Sequence, residues 1–159
     1  MTRPESNAQR RAGDVALLVL RLGAGLSLFI VFGLQKVHDL WQFLHTGQWT
    51  FVDFNRRVGL PVPVLVAVLQ TLNESVLAVL LAVGLLGRVP AGFLTLGFAG
   101  ATYYSLKADE PIWMLAAYFF LMFLTLLVSG PGRFSLDSLL RSQLAKSKSD
   151  RDAKASAAT

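Results

Sequence analysis

The sequence predicts an all-α membrane protein: a four-transmembrane-helix bundle with a short interfacial helix in its first outer loop. Three observations carry that expectation. Of 159 residues, 53% are hydrophobic and 16% charged, with a mean hydropathy of +0.51, which is more apolar surface than a water-soluble domain of this size can bury. The apolar residues gather in runs at about 15–34, 62–86, 89–106 and 112–129. Prolines and glycines punctuate those runs where helices start and stop.

Residues 1–14 carry Arg3, Arg10 and Arg11 and read as a cytoplasmic N-terminal segment. The run that follows is too long for a signal-peptide core and has no small-residue cleavage site after it, so it is expected to stay as the first span. The connection 35–60 is rich in aromatic residues, among them Trp41, Phe43, Trp49, Phe51 and Phe54, which suit the headgroup layer. Within it, Thr50 and Asp53 have the spacing of a variant capping box, and Gly59 and Pro61 form a stop. That places an interfacial helix at 51–58, serving as an anchor or as a lid over a membrane-embedded site.

The second span carries Gln70, Asn73 and Glu74. The third and fourth are about 18 residues each, close to the minimum for crossing about 27 Å of hydrocarbon. Pro90 and Pro111 open them, and Gly87 and Gly130 close the helices before and after. Beyond about residue 140 the chain turns to Ser, Ala, Lys and Asp, and 141–159 is expected to be a disordered cytoplasmic tail.

Orientation follows from Lys and Arg in the loops. With the N-terminus inside, the inner side carries ten, among them Arg3, Arg10, Arg11, Arg88, Arg133 and Arg141, whereas the outer side carries Lys36, Arg56, Arg57 and Lys107. Both termini are therefore expected in the cytoplasm. The formal net charge of +5 comes mostly from the two ends of the chain, which argues for membrane orientation and against nucleic acid. The chain has no cysteine, which removes disulfides, thiolate metal sites and iron–sulfur clusters. His38 and His45 lie outside the apolar runs, where neither serves a haem held between facing helices, and their spacing does not make a metal site.

Glu74 is the chemically informative residue. A carboxylate in the middle of a membrane helix costs on the order of 2.5–3.5 kcal/mol, so it faces protein or water and takes a partner. Arg21 is the other ionisable residue well inside an apolar run. Counting depth at 1.5 Å per residue puts Glu74 about 16 Å and Arg21 about 21 Å from the outer surface, within reach of an arginine side chain. Gln70 and Asn73 extend the polar stripe around Glu74. The cluster reads either as an ion pair locking two helices or as a site in which Glu74 exchanges a proton or holds a polar headgroup.

The residues then resemble a family. Leu20-Arg21-Leu22-Gly23, Gly33 with Lys36, Gly59-Leu60-Pro61, Glu74, Gly84-Leu85-Leu86-Gly87-Arg88 and Gly130-Pro131-Gly132-Arg133-Phe134-Ser135-Leu136-Asp137 are similar to the DoxX family, over most of a membrane domain at 15–140. The resemblance implies a small four-helix protein of the bacterial cytoplasmic membrane, with Arg21, Lys36 and Glu74 as its polar residues of interest. Family members include a subunit associated with a terminal quinol oxidase and relatives in thiosulfate:quinone oxidoreductases. By that resemblance the chain is a non-catalytic membrane subunit with an oxidoreductase partner and a quinone as its candidate cofactor. The other function class is a small proton-coupled carrier of a polar solute, working as a homo-oligomer. This chain departs from many members in its short second outer connection, Lys107-Ala108-Asp109-Glu110. The closing motif reads as structural: Gly130, Pro131 and Gly132 break the fourth helix, Ser135 caps a short helix, and Arg88 is positioned to pair with Asp137.

Overall fold

A computed structural model describes residues 7–86, 88–130, 135–137 and 143. Among them all regular structure is helical. The first helix, α1 (Asn7–Leu28), runs through a π-helical turn, π1 (Phe29–Gly33), directly into α2 (Leu34–Thr46). A short α3 (Thr50–Arg57) follows, then α4 (Pro63–Leu72), a second π-helical turn π2 (Asn73–Leu77) and α5 (Ala78–Val83). Two further helices, α6 (Val89–Lys107) and α7 (Trp113–Ser129), follow.

The elements form an up-and-down bundle of four rods: α1–π1–α2, α4–π2–α5, α6 and α7. Contacts run from the first rod to the second and to α7, from the second to α6, and most extensively between α6 and α7. One end, here called distal, carries α3 and the α6–α7 turn. The proximal end carries the N-terminus, the turn after α5 and residues 135–137.

The packing puts small residues inside and large apolar ones outside. Ala24, Ala67, Ala78, Ala82, Ala91 and Ala116 are buried, while Val19, Ile30, Leu65, Leu96, Tyr118, Leu121 and Val128 are exposed. Small interior residues let helix backbones approach closely, and outward Leu, Ile and Val suit a hydrocarbon solvent. Gly25 gives one example: a Cβ there would fall 2.7 Å from the Ala78 carbonyl oxygen and 2.9 Å from the Ala82 Cβ. Buried hydroxyls bond back to their own helices, Thr71 to the Ala67 carbonyl and Thr95 to that of Ala91, which satisfies them without a partner helix. Two helices, Arg11–Thr46 and Pro63–Val83, are long and apolar enough to cross a membrane, and Trp113–Ser129 is a shorter apolar helix.

Several expected boundaries move. The first helix begins at Asn7 and does not stop at 34; residues 34–46 contain neither Gly nor Pro, so nothing breaks the helix before Gly47, which adopts a left-handed φ of 71°. His38 and His45 consequently stand on α2, bonded to Gln42 and to the Trp41 carbonyl. Thr50 opens α3 as its first residue; Trp49 is the N-cap and no side chain caps that end, so the capping box does not form. The second rod ends at Gly84, again left-handed at φ 71°, ahead of the expected Gly87, which lies outside the described residues. Gly130 does close α7, at φ 83°. Pro131, Gly132, Arg133 and the tail 141–159, Gln143 apart, lie outside the described residues.

Candidate functional site

Glu74 sits in π2, and its partner is Lys36 of α2. The Lys36 ammonium donates to Glu74 Oε1 at 2.5 Å, and both side chains are largely buried, 13% and 8% exposed. Lys36 Nζ also stands 4.0 Å from the centre of the Phe51 ring, a cation–π contact that couples α3 to the pair. The expected Arg21–Glu74 pair does not form. The depth count ended the first span at Leu34, whereas the rod continues to Thr46, and the interhelical register brings Arg21 level with Ala82 rather than with Glu74.

Gly33 explains how the pair is placed. Its Cα lies against the backbone of Glu74, so that any Cβ would collide with the Glu74 carbonyl. Gly33 ends π1 and Glu74 lies in π2, which means that two π-helical turns face each other at this crossing. Each turn accommodates one extra residue in the helix and re-aims the side chains around it, and such turns occur preferentially at functional sites. With Gly33 leaving the space, Lys36, one turn on, reaches Glu74 from above.

A cavity of about 70 Å³ adjoins the pair. Its walls include Phe32, Phe51, Phe54, Phe98 and Phe119, with Gln70 and Ser105 as further polar groups. Phe98 and Phe119 pack at 5.2 Å between ring centres and Phe32 meets Phe119 edge-on at 6.1 Å, a rigid aromatic wall. Two acceptors here are buried without a hydrogen bond, Glu74 Oε2 and Gln70 Oε1. An unsatisfied buried acceptor costs about 1–3 kcal/mol, more when charged, so both acceptors lining this cavity call for a donor, from water or from a ligand.

Asn73, next to Glu74 in sequence, points the other way. Its amide Nδ2 lies toward the Phe93 carbonyl at 3.5 Å and close over Gly97 of α6. Gln70 lies between, lining both the cavity at Glu74 and a groove on the Asn73 side.

Arg21 belongs to a separate, proximal cluster. It is 4% exposed, donates from Nε to the Ala82 carbonyl at 3.2 Å and packs its guanidinium against Gly84. Asp137 supplies the nearby negative charge. Asp137 also accepts from the Leu86 amide at 3.2 Å while its own amide reaches the Gly84 carbonyl at 3.4 Å. Ser135 is buried beside Gly84. Arg88 does not pair with Asp137; its Nη2 donates to the Val128 carbonyl at 3.3 Å, next to Gly130, which satisfies an orphan carbonyl at the end of α7. The closing motif thus grips the turn after α5 through Asp137, and Arg88 grips the end of α7.

Sequence reasoning placed Lys36 only by family resemblance, and it missed Phe51, Phe54 and Ser105 as neighbours of Glu74. One signal for Lys36 was present. It is the single Lys or Arg between Arg21 and Arg56, three residues after a glycine, which puts both on one helix face.

The family model described as DoxX matches residues 16–107. No curated protein and no solved structure matches the chain.

Proposed function

Since this chain belongs to the DoxX family of membrane proteins, we propose that it is the small membrane subunit of a quinone-linked oxidoreductase complex. On this reading it is non-catalytic alone, and the Lys36–Glu74 centre holds the headgroup. One observation carries the reading: a buried ion pair beside an aromatic-walled cavity in which Glu74 Oε2 and Gln70 Oε1 lack donors. Those two acceptors fit one hydroxyl group of a reduced quinone, and the Lys36 ammonium fits a carbonyl of the oxidised form. A bound quinone would supply a two-electron, two-proton couple. Glu74 Oε2 would take or return a proton at the hydroxyl, and Lys36 would hold the resulting charge pattern in place. Arg21 and Asn73 drop out of the headgroup set, since Arg21 anchors the proximal turn and Asn73 faces α6.

The four rods are read as four spans, with α3 lying at the outer headgroup layer and both termini in the cytoplasm of a bacterial cell. Support for that orientation is the Lys and Arg excess of the ends over the α2–α4 and α6–α7 connections. Phe51 and Phe54 on α3 pack 6.1 Å apart and line the cavity, which fits α3 as a cover over the centre.

The test is extraction of tagged protein in native-lipid copolymer, followed by mass spectrometry of co-purifying proteins and retained quinone, for wild type and Glu74→Gln. The expected result is an oxidoreductase partner retained by both forms and quinone lost from the variant. A chain isolated as a homo-oligomer without quinone, with Glu74→Gln abolishing solute flux, would overturn this reading in favour of a proton-coupled carrier.

A further inference from the structure

α6 packs on π2 and α5 but scarcely touches α4, and between the second rod from Val66 to Leu77 and the first half of α6, Val89 to Gly97, a groove of about 570 Å³ opens at the side of the bundle. Leu69 and Val76 form one wall, Phe93 and Leu96 the other, all of them half or more exposed. The floor is polar: Asn73, drawn over Gly97, and Gln70. Gln70 also lines the cavity at Glu74, so its carboxamide is the partition between the groove and the buried centre.

We propose that this groove seats the hydrocarbon tail of a membrane-dissolved amphiphile. Its uncharged, hydroxyl-bearing head reaches the Lys36–Glu74 centre past Gln70. The ligand therefore enters sideways from the bilayer and not from water. The inference rests on the reading of that centre as a headgroup site and adds the ligand's class and its route.

Three observations select this occupant. Spread over the roughly 16 Å of helix from Val66 to Leu77, the groove has a cross-section of about 35 Å², less than half that of a helix about 10 Å across, so a partner helix does not sink into it. An alkyl or isoprenoid chain is thinner and matches the apolar walls. The cavity next to Glu74, about 70 Å³, admits the hydroxyl edge of a head and leaves the remainder on the groove side. The groups awaiting a partner are acceptors, Gln70 Oε1 and Glu74 Oε2, which suits a donor head and disfavours a phosphate. A water-soluble solute approaching from the distal end meets Phe51 and Phe54 instead.

The experiment uses the full chain in lipid nanodiscs and a decyl hydroquinone carrying a diazirine in its tail. After photolysis, labelled peptides are mapped by mass spectrometry, with unlabelled decyl and methyl hydroquinone as competitors. Saturable labelling within 66–77 and 89–97 is expected, with methyl hydroquinone competing at least about tenfold more weakly than the decyl form, the contribution of about two buried methylenes. Leu96→Trp, which fills the groove from its most exposed wall residue, should cut labelling about tenfold. Leu121→Trp on the outer face of α7 should leave it unchanged. Equal competition by both forms with labelling elsewhere would overturn the groove and leave the headgroup site standing. No saturable binding by either form would overturn the headgroup reading and this inference with it. Non-saturable labelling all around the bundle would mean annular lipid only, and cross-linked pairs through 89–97 would mean a second copy; each overturns the proposal.

Discussion

Gly33 and Glu74 touch backbone to backbone, each within a π-helical turn, and the space that the missing Cβ leaves is filled by the Glu74 carbonyl. The ion pair above this contact depends on it, because Lys36 reaches Glu74 only if the two rods cross this closely. Gly33→Ala should force the rods apart and destabilise the protein by about 1–3 kcal/mol, the usual cost of overpacking a close interface. Thermal unfolding in detergent, followed by size-exclusion fluorescence, measures it. Gly23→Ala is the control, since a Cβ there meets nothing within 4 Å, and an equal loss in both variants would count against the Gly33 contact.

The Lys36–Glu74 pair should show the asymmetry of buried charges. Glu74→Gln or Lys36→Met alone strands one charge among the five phenyl rings and should cost about 3–5 kcal/mol, whereas the double variant should recover most of that loss. Unfolding of all four forms in one detergent gives the coupling energy. Additive losses would mean that the two groups do not interact.

Arg21 and Glu74 should behave independently. Arg21 bonds to the Ala82 carbonyl, and eight residues of helix separate Ala82 from Glu74, about 12 Å. Effects at sites that far apart add within about 0.5 kcal/mol. Arg21→Gln combined with Glu74→Gln should therefore equal the sum of the singles, and a larger deviation would restore a direct link between them.

The error that this last variant exposes shows where sequence reading runs out. The helical rods were legible because bilayer thickness sets a run length and because Pro90, Pro111 and Gly130 act locally on the backbone. Glu74 was legible as a buried charge because the run 62–86 around it carries no other charged residue. Its partner was not, since pairing depends on interhelical register, and register is fixed by Gly25 against Ala78 and Gly33 against Glu74, contacts that no local pattern announces. The π-helical turns carry no proline to betray them. The stop at Gly84 was hidden by a second glycine three residues later. The groove between the second rod and α6 is a property of the whole bundle.

The proximal turn offers a paired test of what Gly84 contributes. Gly59 and Gly84 both adopt left-handed backbone, at φ 77° and 71°, but a Cβ at Gly59 meets nothing within 4 Å while one at Gly84 collides with the Arg21 guanidinium and lies 3.0 Å from the Ser135 Cβ. Gly59→Ala should cost only the left-handed penalty, about 1–2 kcal/mol. Gly84→Ala should cost more, because the displaced Arg21 loses its bond to Ala82 and the segment holding Ser135 and Asp137 loses its seat. Limited proteolysis separates the two effects: in Gly84→Ala the chain beyond Gly130 should be cut faster than in wild type, and in Gly59→Ala it should not. Equal protection in both variants would mean that the closing motif holds to the bundle without Gly84 and Arg21.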